Sequence, residues 1–328
     1  MKSQMDNFSI FLSNLPGKPP ALSKNSFTNC NCVCLSVAMQ DKKAKYINPY
    51  TDFGFKRLFG QEANKDLLID FLNQLLPPKH QIEELYFGNS ENIPELPFQR
   101  KAIFDIHCKG ANGEPFIIEM QKEKLQFFKD RSLFYITFPL QETSQKGNWD
   151  FKLPHVYFIA ILDFEYDEEE EKRKFERYVQ LKDQDGDLFY DKFHFKFLQM
   201  PLFTKQENEL SNRYDKWCYF LKNLETFENI PAILNEPIFQ KAFHTSEISA
   251  MNQEEYNVYI NSLMGYWESK GMMDTARAEG RIKGRVEGKE EREIEIASNC
   301  IKAGMDDPTI SKLTGLSGLA IQKLRKSM

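Results

Sequence analysis

Residues 100–121 read Arg100-Lys101-Ala102-Ile103-Phe104-Asp105-Ile106-His107-Cys108-Lys109-Gly110-Ala111-Asn112-Gly113-Glu114-Pro115-Phe116-Ile117-Ile118-Glu119-Met120-Gln121, and this stretch decides the fold. Two apolar, β-prone runs flank Gly110-Ala111-Asn112-Gly113, which predicts a hairpin with a glycine-containing loop. Asp105, Glu119 and Gln121 interrupt otherwise apolar strands. With Ala111-Asn112-Gly113 as a three-residue loop and Gly113 in the left-handed position of a G1 bulge, Phe104 opposes Met120, Ile106 opposes Ile118 and Cys108 opposes Phe116. That face is wholly apolar. The other face sets Asp105 opposite Glu119 and Ile103 opposite Gln121, and directly opposed residues sit roughly 5 Å apart at Cβ. A two-residue Asn-Gly loop slips the pairing by one and puts Asp105 across from Met120. Burial of one face disfavours that slip, because it mixes charge into the apolar layer.

Two carboxylates so close repel unless a proton or a cation lies between them. Hard oxygen ligands suit Mg²⁺, with Mn²⁺ next in chemistry. Such an ion acidifies water and stabilises charge on a phosphate. The same pattern also reads as a surface hairpin whose outward acids are simply solvated, since one face of an antiparallel pair often meets water.

Asp105, a hairpin turn, and then Glu119-Met120-Gln121 resembles the metal motif of the PD-(D/E)XK nuclease superfamily, with Gln121 in the lysine position. The stretch Tyr46-Ile47-Asn48-Pro49-Tyr50-Thr51-Asp52-Phe53-Gly54-Phe55-Lys56-Arg57-Leu58-Phe59-Gly60 resembles the opening signature of one branch, the Rpn-type recombination-promoting nucleases, also called PD-(D/E)XK nuclease family transposases. The match is good over residues 45–164 and looser after Gly280. The resemblance implies an α/β (α+β) fold, a restriction-endonuclease-like mixed sheet flanked by helices, with a helical C-terminal region. It implies a metal-dependent DNA endonuclease. Asp105 and Glu119 would hold the ion, with the Met120 carbonyl as a further ligand, and Gln121 would orient the attacking water. An acidic contribution from Asp52 near the metal is implied as well. A carboxamide positions water but cannot neutralise a phosphate. Lys101 falls on the acid face in the proposed register and is the expected source of that charge.

The 328 residues suffice for a sizeable core and one or two domains. Hydrophobic content of 41% and charged content of 28% are ordinary, while 28 Phe imply a core or partner surface rich in aromatics. A net charge of −5 gives no global sign of nucleic-acid binding, so any DNA contact must come from a local basic patch. No apolar run approaches the roughly 18 residues that span a bilayer. Six Cys in this length do not make a disulfide scaffold, and a reducing cytoplasm fits them.

Residues 1–38 lack periodicity, contain Pro16, Pro19 and Pro20, and are expected to form a disordered extension, with translation from Met39 as a companion hypothesis. Cys30-Asn31-Cys32-Val33-Cys34 lacks the further ligands of a zinc site. A nuclease-like domain is expected over residues 39–204, a helical region over 205–270, and a charged glycine-repeat linker with a tail over 271–328. Asp52 is the expected cap of one helix running to about Leu76, where Pro77-Pro78 ends it. A strand over Ile82–Gly88, a loop over 89–98, the hairpin, a helix from about Leu125 to Gln141, and a buried strand over His155–Phe164 follow. Lys122, Lys124, Lys129 and Arg131 cluster near that helix start, where they either meet phosphates or remain solvated.

Two further strands are expected around Asp183-Gln184-Asp185-Gly186-Asp187, a hairpin turn rather than a calcium loop because Leu188 stands where glycine is needed. Helices are expected over 208–227, 231–244 and 253–268. Gly280, Gly284 and Gly288 weaken the charged stretch after Ala278, which reads as a frayed solvent helix or as a face for self-association. Residues 305–328 resemble a helix-turn-helix, with Lys323, Arg325 and Lys326 giving modest support for DNA reading. The expected partners are DNA and, through the C-terminal helices, a second copy of the chain. The expected role lies in DNA recombination or mobile-element biology. The alternative is a non-catalytic module of the same fold that binds DNA or a protein partner.

Overall fold

The computed structural model describes residues 44–88, 91–92, 102–103, 105–124, 127–143, 152–167 and 170–327. The expected extension over 1–38 lies outside these, as do Phe104 and Lys101. The long helix expected from Asp52 is in fact two, α1 (Asp52–Phe59) and α2 (Lys65–Leu75). Gly60 ends the first, its N–H bonded to the Lys56 carbonyl, and the 3₁₀ turn Glu62–Asn64 redirects the chain. Glycine is a poor helix residue, and Asn64 Nδ2 then satisfies the freed Arg57 carbonyl at 2.9 Å.

Thr51, not Asp52, caps α1: its Oγ1 accepts from Gly54 N–H at 3.0 Å and donates to the Asn48 carbonyl at 2.8 Å. Asp52 instead occupies the first turn, where negative charge suits the helix dipole, and pairs with Lys56 at 2.7 Å. A Cβ on Gly54 would lie 2.2 Å from the Asn48 carbonyl oxygen, so the close approach of this turn to α1 requires glycine.

The strands are β1 (Leu85–Phe87), β2 (Glu91–Asn92), β3 (Ala102–Ile103), β4 (Ile106–Gly110), β5 (Pro115–Gln121), β6 (Val156–Leu162), β7 (Glu176–Lys182) and β8 (Leu188–Gln199). Six form one mixed sheet in the order β1-β4-β5-β6-β8-β7, and β2 pairs with β3 separately. The hairpin has the predicted register, with Ile106 opposite Ile118 and Cys108 opposite Phe116. Gly113 sits at φ 83°, and its N–H donates to the Gly110 carbonyl at 2.9 Å, which is the turn the loop residues specify. Gly186 plays the same part between β7 and β8, at φ 89°.

The first hairpin arm is not one strand, as expected, but two. Ile103 pairs with Glu91 rather than facing Gln121, and the β4–β5 ladder starts at Ile106. The reason lies in Asp105, discussed below. Helix α3 (Phe128–Thr143) crosses from β5 to the parallel β6, as parallel pairing demands, and it begins three residues later than expected. Lys122 and Lys124 therefore precede it.

Alternation divides the sheet into two packed faces. Phe116, Ile118, Met120, Tyr157, Ile159 and Ile161 join the larger core with Phe55, Leu68 and Phe71 of the first two helices. Ile117, Phe158, Ala160, Phe195 and Phe197 meet Phe128, Tyr135 and Ile136 of α3. The larger core also takes in Trp217, Phe239 and Tyr259 from α4 (Arg213–Asn223), α5 (Pro237–Ser246) and α6 (Gln253–Lys302). Asp70 of α2 anchors α4 by accepting from Trp217 Nε1 at 2.7 Å and Arg213 Nη1 at 2.8 Å.

Helix α6 runs unbroken for 50 residues, well past the expected Glu268, from a capping box formed by Asn252 and Glu255. Ion pairs such as Lys283–Glu287 (3.7 Å) and Lys289–Glu293 (3.6 Å) lie four residues apart and support the helix through Gly280, Gly284 and Gly288. Nothing packs on those glycines among the described residues. Helices α7 (Asp307–Thr314) and α8 (Gly318–Ser327) close over Ala297 through Ile310 and Ile321, with Gly315 at φ 75° between them. No described helix is long and apolar enough to cross a membrane.

Candidate active site

Glu119 stands on the β5 face that carries Ile117, so the strand period that builds the core also buries a carboxylate: it is 2% exposed. Asp105 arrives just before β4. Its N–H donates to Glu119 Oε1 at 3.2 Å, and its own Oδ2 accepts from Met120 N–H at 2.7 Å. That last bond explains the broken strand. Beyond Ile106 the next β5 donor is satisfied by a side-chain carboxylate, so the backbone is released to turn away as β3. The two acids expected to meet across the hairpin do meet, as a linked pair rather than as opposed rungs of one ladder.

Gln121 Nε2 donates to Glu119 Oε2 at 2.9 Å, which fixes the carboxylate on both oxygens. The Gln121 carbonyl accepts from Asp163 N–H at 2.9 Å. Asp163 in turn accepts from Tyr266 Oη at 2.7 Å. Helix α6 thus reaches the end of β5, a connection the sequence reading missed because 145 positions separate Gln121 from Tyr266.

Burial above all, and then the charge of Asp105, raises the proton affinity of Glu119. Burial likewise raises that of Asp105, aided by Asp52 and opposed by its Met120 bond, Lys56 and Arg131. Among the described residues no Lys or Arg makes an ion pair with either acid. Two carboxylates withdrawn from water together favour retention of a proton between them until a cation is supplied. Its donor set, all oxygen, matches a hard divalent ion.

Asp52 acts on this pair only through its field, since its carboxylate is engaged by Lys56 and largely exposed. The basic residues named from sequence divide. Arg131 reaches both acids electrostatically while donating to Tyr135 Oη at 2.6 Å. Lys129 lies over the Tyr166 ring, 5.4 Å from its centroid, and Lys122 Nζ is 3.5 Å from the Gly265 carbonyl. Lys101, the expected phosphate partner, lies outside the described residues. Arg325 of the tail is held by Asp307 at 2.9 Å. The opening signature proves largely architectural. Asn48 N–H donates to Tyr259 Oη at 3.0 Å, its Nδ2 donates to Glu225 at 2.8 Å, and with Thr51 and Gly54 it seats α1 beside the pair.

A mixed sheet with flanking helices and an Asp–Glu pair at a hairpin defines a class of nuclease-like folds. The family model for PD-(D/E)XK nuclease family transposases matches residues 49–276, and the chain belongs to that family. Membership carries a nuclease- or transposase-associated role. No match was found among curated proteins or among solved structures.

Proposed function

We propose that this chain is a metal-dependent DNA endonuclease that hydrolyses phosphodiester bonds in DNA recombination or mobile-element biology. The observation that carries the reading is the Asp105–Glu119 pair, joined across the hairpin and withdrawn from water, with no Lys or Arg among the described residues ion-paired to it. Asp105 and Glu119, with the Met120 carbonyl, would hold Mg²⁺ or Mn²⁺. Bound there, the ion would acidify water and stabilise charge on the phosphate. Gln121 does two things in this reading. Its amide N–H holds Glu119 in place, and its carboxamide oxygen side is suited to orient a water. Arg131 and Lys56 supply positive field near the pair, the charge that a lysine in place of Gln121 would otherwise bring.

The glutamine also sustains a second reading, a non-catalytic module of the same fold that binds DNA or a protein partner. Supercoiled-plasmid nicking with Mg²⁺ or Mn²⁺, alongside calorimetric titration of the ion, separates the two. Metal-dependent nicking supports the endonuclease. Absence of both nicking and ion binding leaves the binding module.

A further inference from the structure

A second cluster, one member buried and two half-buried, lies at the other end of the same strands. His80 follows α2 in the 3₁₀ turn Pro78–His80, His155 immediately precedes β6, and His194 sits on β8. Each ring offers a nitrogen, and the three nitrogens lie within 4.8 Å of one another. His155 Nδ1 and His194 Nε2 are 3.1 Å apart. Glu119 pairs with Ala160 on β6, so the cluster is about 16 Å along the strands from the carboxylates, at roughly 3.3 Å per residue.

We propose that His80, His155 and His194 form a second, independent metal site that takes a divalent transition ion of the zinc class. Two imidazole nitrogens bound at about 2.0–2.1 Å to one tetrahedral ion stand about 3.3 Å apart, so the present 3.1 Å separation needs little change. The ion takes the place of the hydrogen bond between His155 and His194: the ring that donates it carries its proton on its other nitrogen instead, so that each neutral ring aims a lone pair at the common centre. Outer partners are already in place. Tyr178 Oη bonds His194 Nδ1 at 2.6 Å, which leaves Nε2 as the nitrogen facing the cluster, and Tyr157 Oη bonds His80 Nδ1. Ligating histidines ordinarily have such partners, which fix tautomer and ring orientation.

The surroundings favour neutral rings. Burial, then the neighbouring His155, holds His194 down to about 4, and burial also lowers His80. Neutral imidazole is the form that ligates. Three nitrogens with one coordination position left over suit zinc, whereas an all-oxygen preference excludes Mg²⁺. His80 and Tyr157 also line a groove of about 270 Å³ with Glu83, Asn112 and Glu114, which gives an ion a path from solvent. The site would clamp the end of α2 to β6 and β8, stabilising the sheet at the end away from the acids.

The test is cobalt(II) titration of chelator-treated full-length protein, read by visible absorption, together with zinc stoichiometry by mass spectrometry. Asp105→Asn/Glu119→Gln removes the carboxylate pair from the count. The expected result is one equivalent of Co²⁺ or Zn²⁺ in this double variant, a visible spectrum of a nitrogen-ligated ion, and loss of both in His155→Ala and His80→Ala. Tyr178→Phe, which keeps every ligand, should weaken affinity by about 10- to 100-fold. Circular dichroism checks that each variant is folded. No uptake by the double variant, or uptake unchanged in folded His155→Ala, overturns the proposal in favour of a plain imidazole hydrogen bond. Neither outcome bears on the endonuclease reading, which plasmid nicking decides.

Discussion

At one end of β5 and β6 the protein draws two carboxyls together away from water, at the other three imidazoles of which His194 is buried and the others half-buried. The same cause, removal from water, drives them in opposite directions on the pH scale and towards the same neutral state. Glu119 and Asp105 hold their protons more tightly, while His194 and His80 hold theirs less. A neutral buried cluster is inexpensive as it stands and becomes a cation site once an ion supplies the missing charge. What separates the ends is donor chemistry. Oxygen donors at one would suit a hard ion, nitrogen donors at the other a borderline one. The supports differ too. The acids are held by backbone N–H groups and Gln121, so their geometry is tied to strand register. His80 and His194 are held by tyrosine hydroxyls and His155 by His194, so their geometry depends on side-chain packing.

The largest effect expected at the acid end is on chemistry. Glu119→Gln and Asp105→Asn should each cut metal-dependent nicking by about 10²-fold or more, the scale of losing a preorganised charge-stabilising group. Both should leave the fold intact and spare cobalt uptake at the histidines. Nicking at the wild-type rate in either variant would remove the acids from the reaction.

Gly54→Ala should come next. Its Cβ would collide with the Asn48 carbonyl, and overpacking of this kind costs about 1–3 kcal/mol by urea unfolding. Since α1 carries Lys56 and Asp52 beside the acids, nicking should fall while cobalt uptake at the distant histidines persists. Loss of both would mean the two ends are coupled through the core.

Smaller, but opposite in sign at the two ends, is the response to pH without divalent ions. Glu119 and Asp105 have raised proton affinity in the folded chain. Their stabilising contribution is present below the ordinary carboxylate range and fades as pH rises through the raised one. His194 has lowered affinity, so its contribution is present above about 6.5 and fades as pH falls towards about 4. Between about 4 and 6.5 the two trends oppose one another, and above that only the acids titrate, so urea midpoints should fall as pH rises towards about 8. Glu119→Gln should flatten that decline, and His194→Gln should steepen it below about 6.5. A profile in which either variant parallels the wild type would show that the corresponding buried group is not what titrates.

The smallest change is a control in the tail. Arg325→Ala breaks a half-exposed pair with Asp307 and should shift stability by no more than about 0.5 kcal/mol, with nicking and cobalt uptake unchanged.

Much of the acid end was legible from residues 100–121. Ala111-Asn112-Gly113 admitted a three- or a two-residue turn, and apolar parity chose the register that places Asp105 near Glu119. The details that escaped are those in which a distant contact chose between local equals. Thr51 and Asp52 are both good caps by type. The buried turn at Asn48, pinned by Tyr259 and Glu225, gave the cap to Thr51. Apolar periodicity runs straight across Gly60 because Phe59 and Leu67 face one core, so period alone could not show the break between α1 and α2. The glycines of α6 argued for fraying, yet the helix is continuous through them, with i to i+4 charge pairs offsetting part of their cost.

The sequence by itself determined the hairpin, its register and the pairing of two acids, because these follow from turn chemistry and a period of two within a few residues, while the mixed sheet was implied by the resemblance to the nuclease family. Only the tertiary structure decided which groups would be kept from water together. His155 and His194 are 39 residues apart and His80 meets Tyr157 across 77, distances at which no local spacing carries a signal. Burial is a property of what packs on top, and it is burial that turns ordinary side chains at both ends of these strands into candidate cation sites.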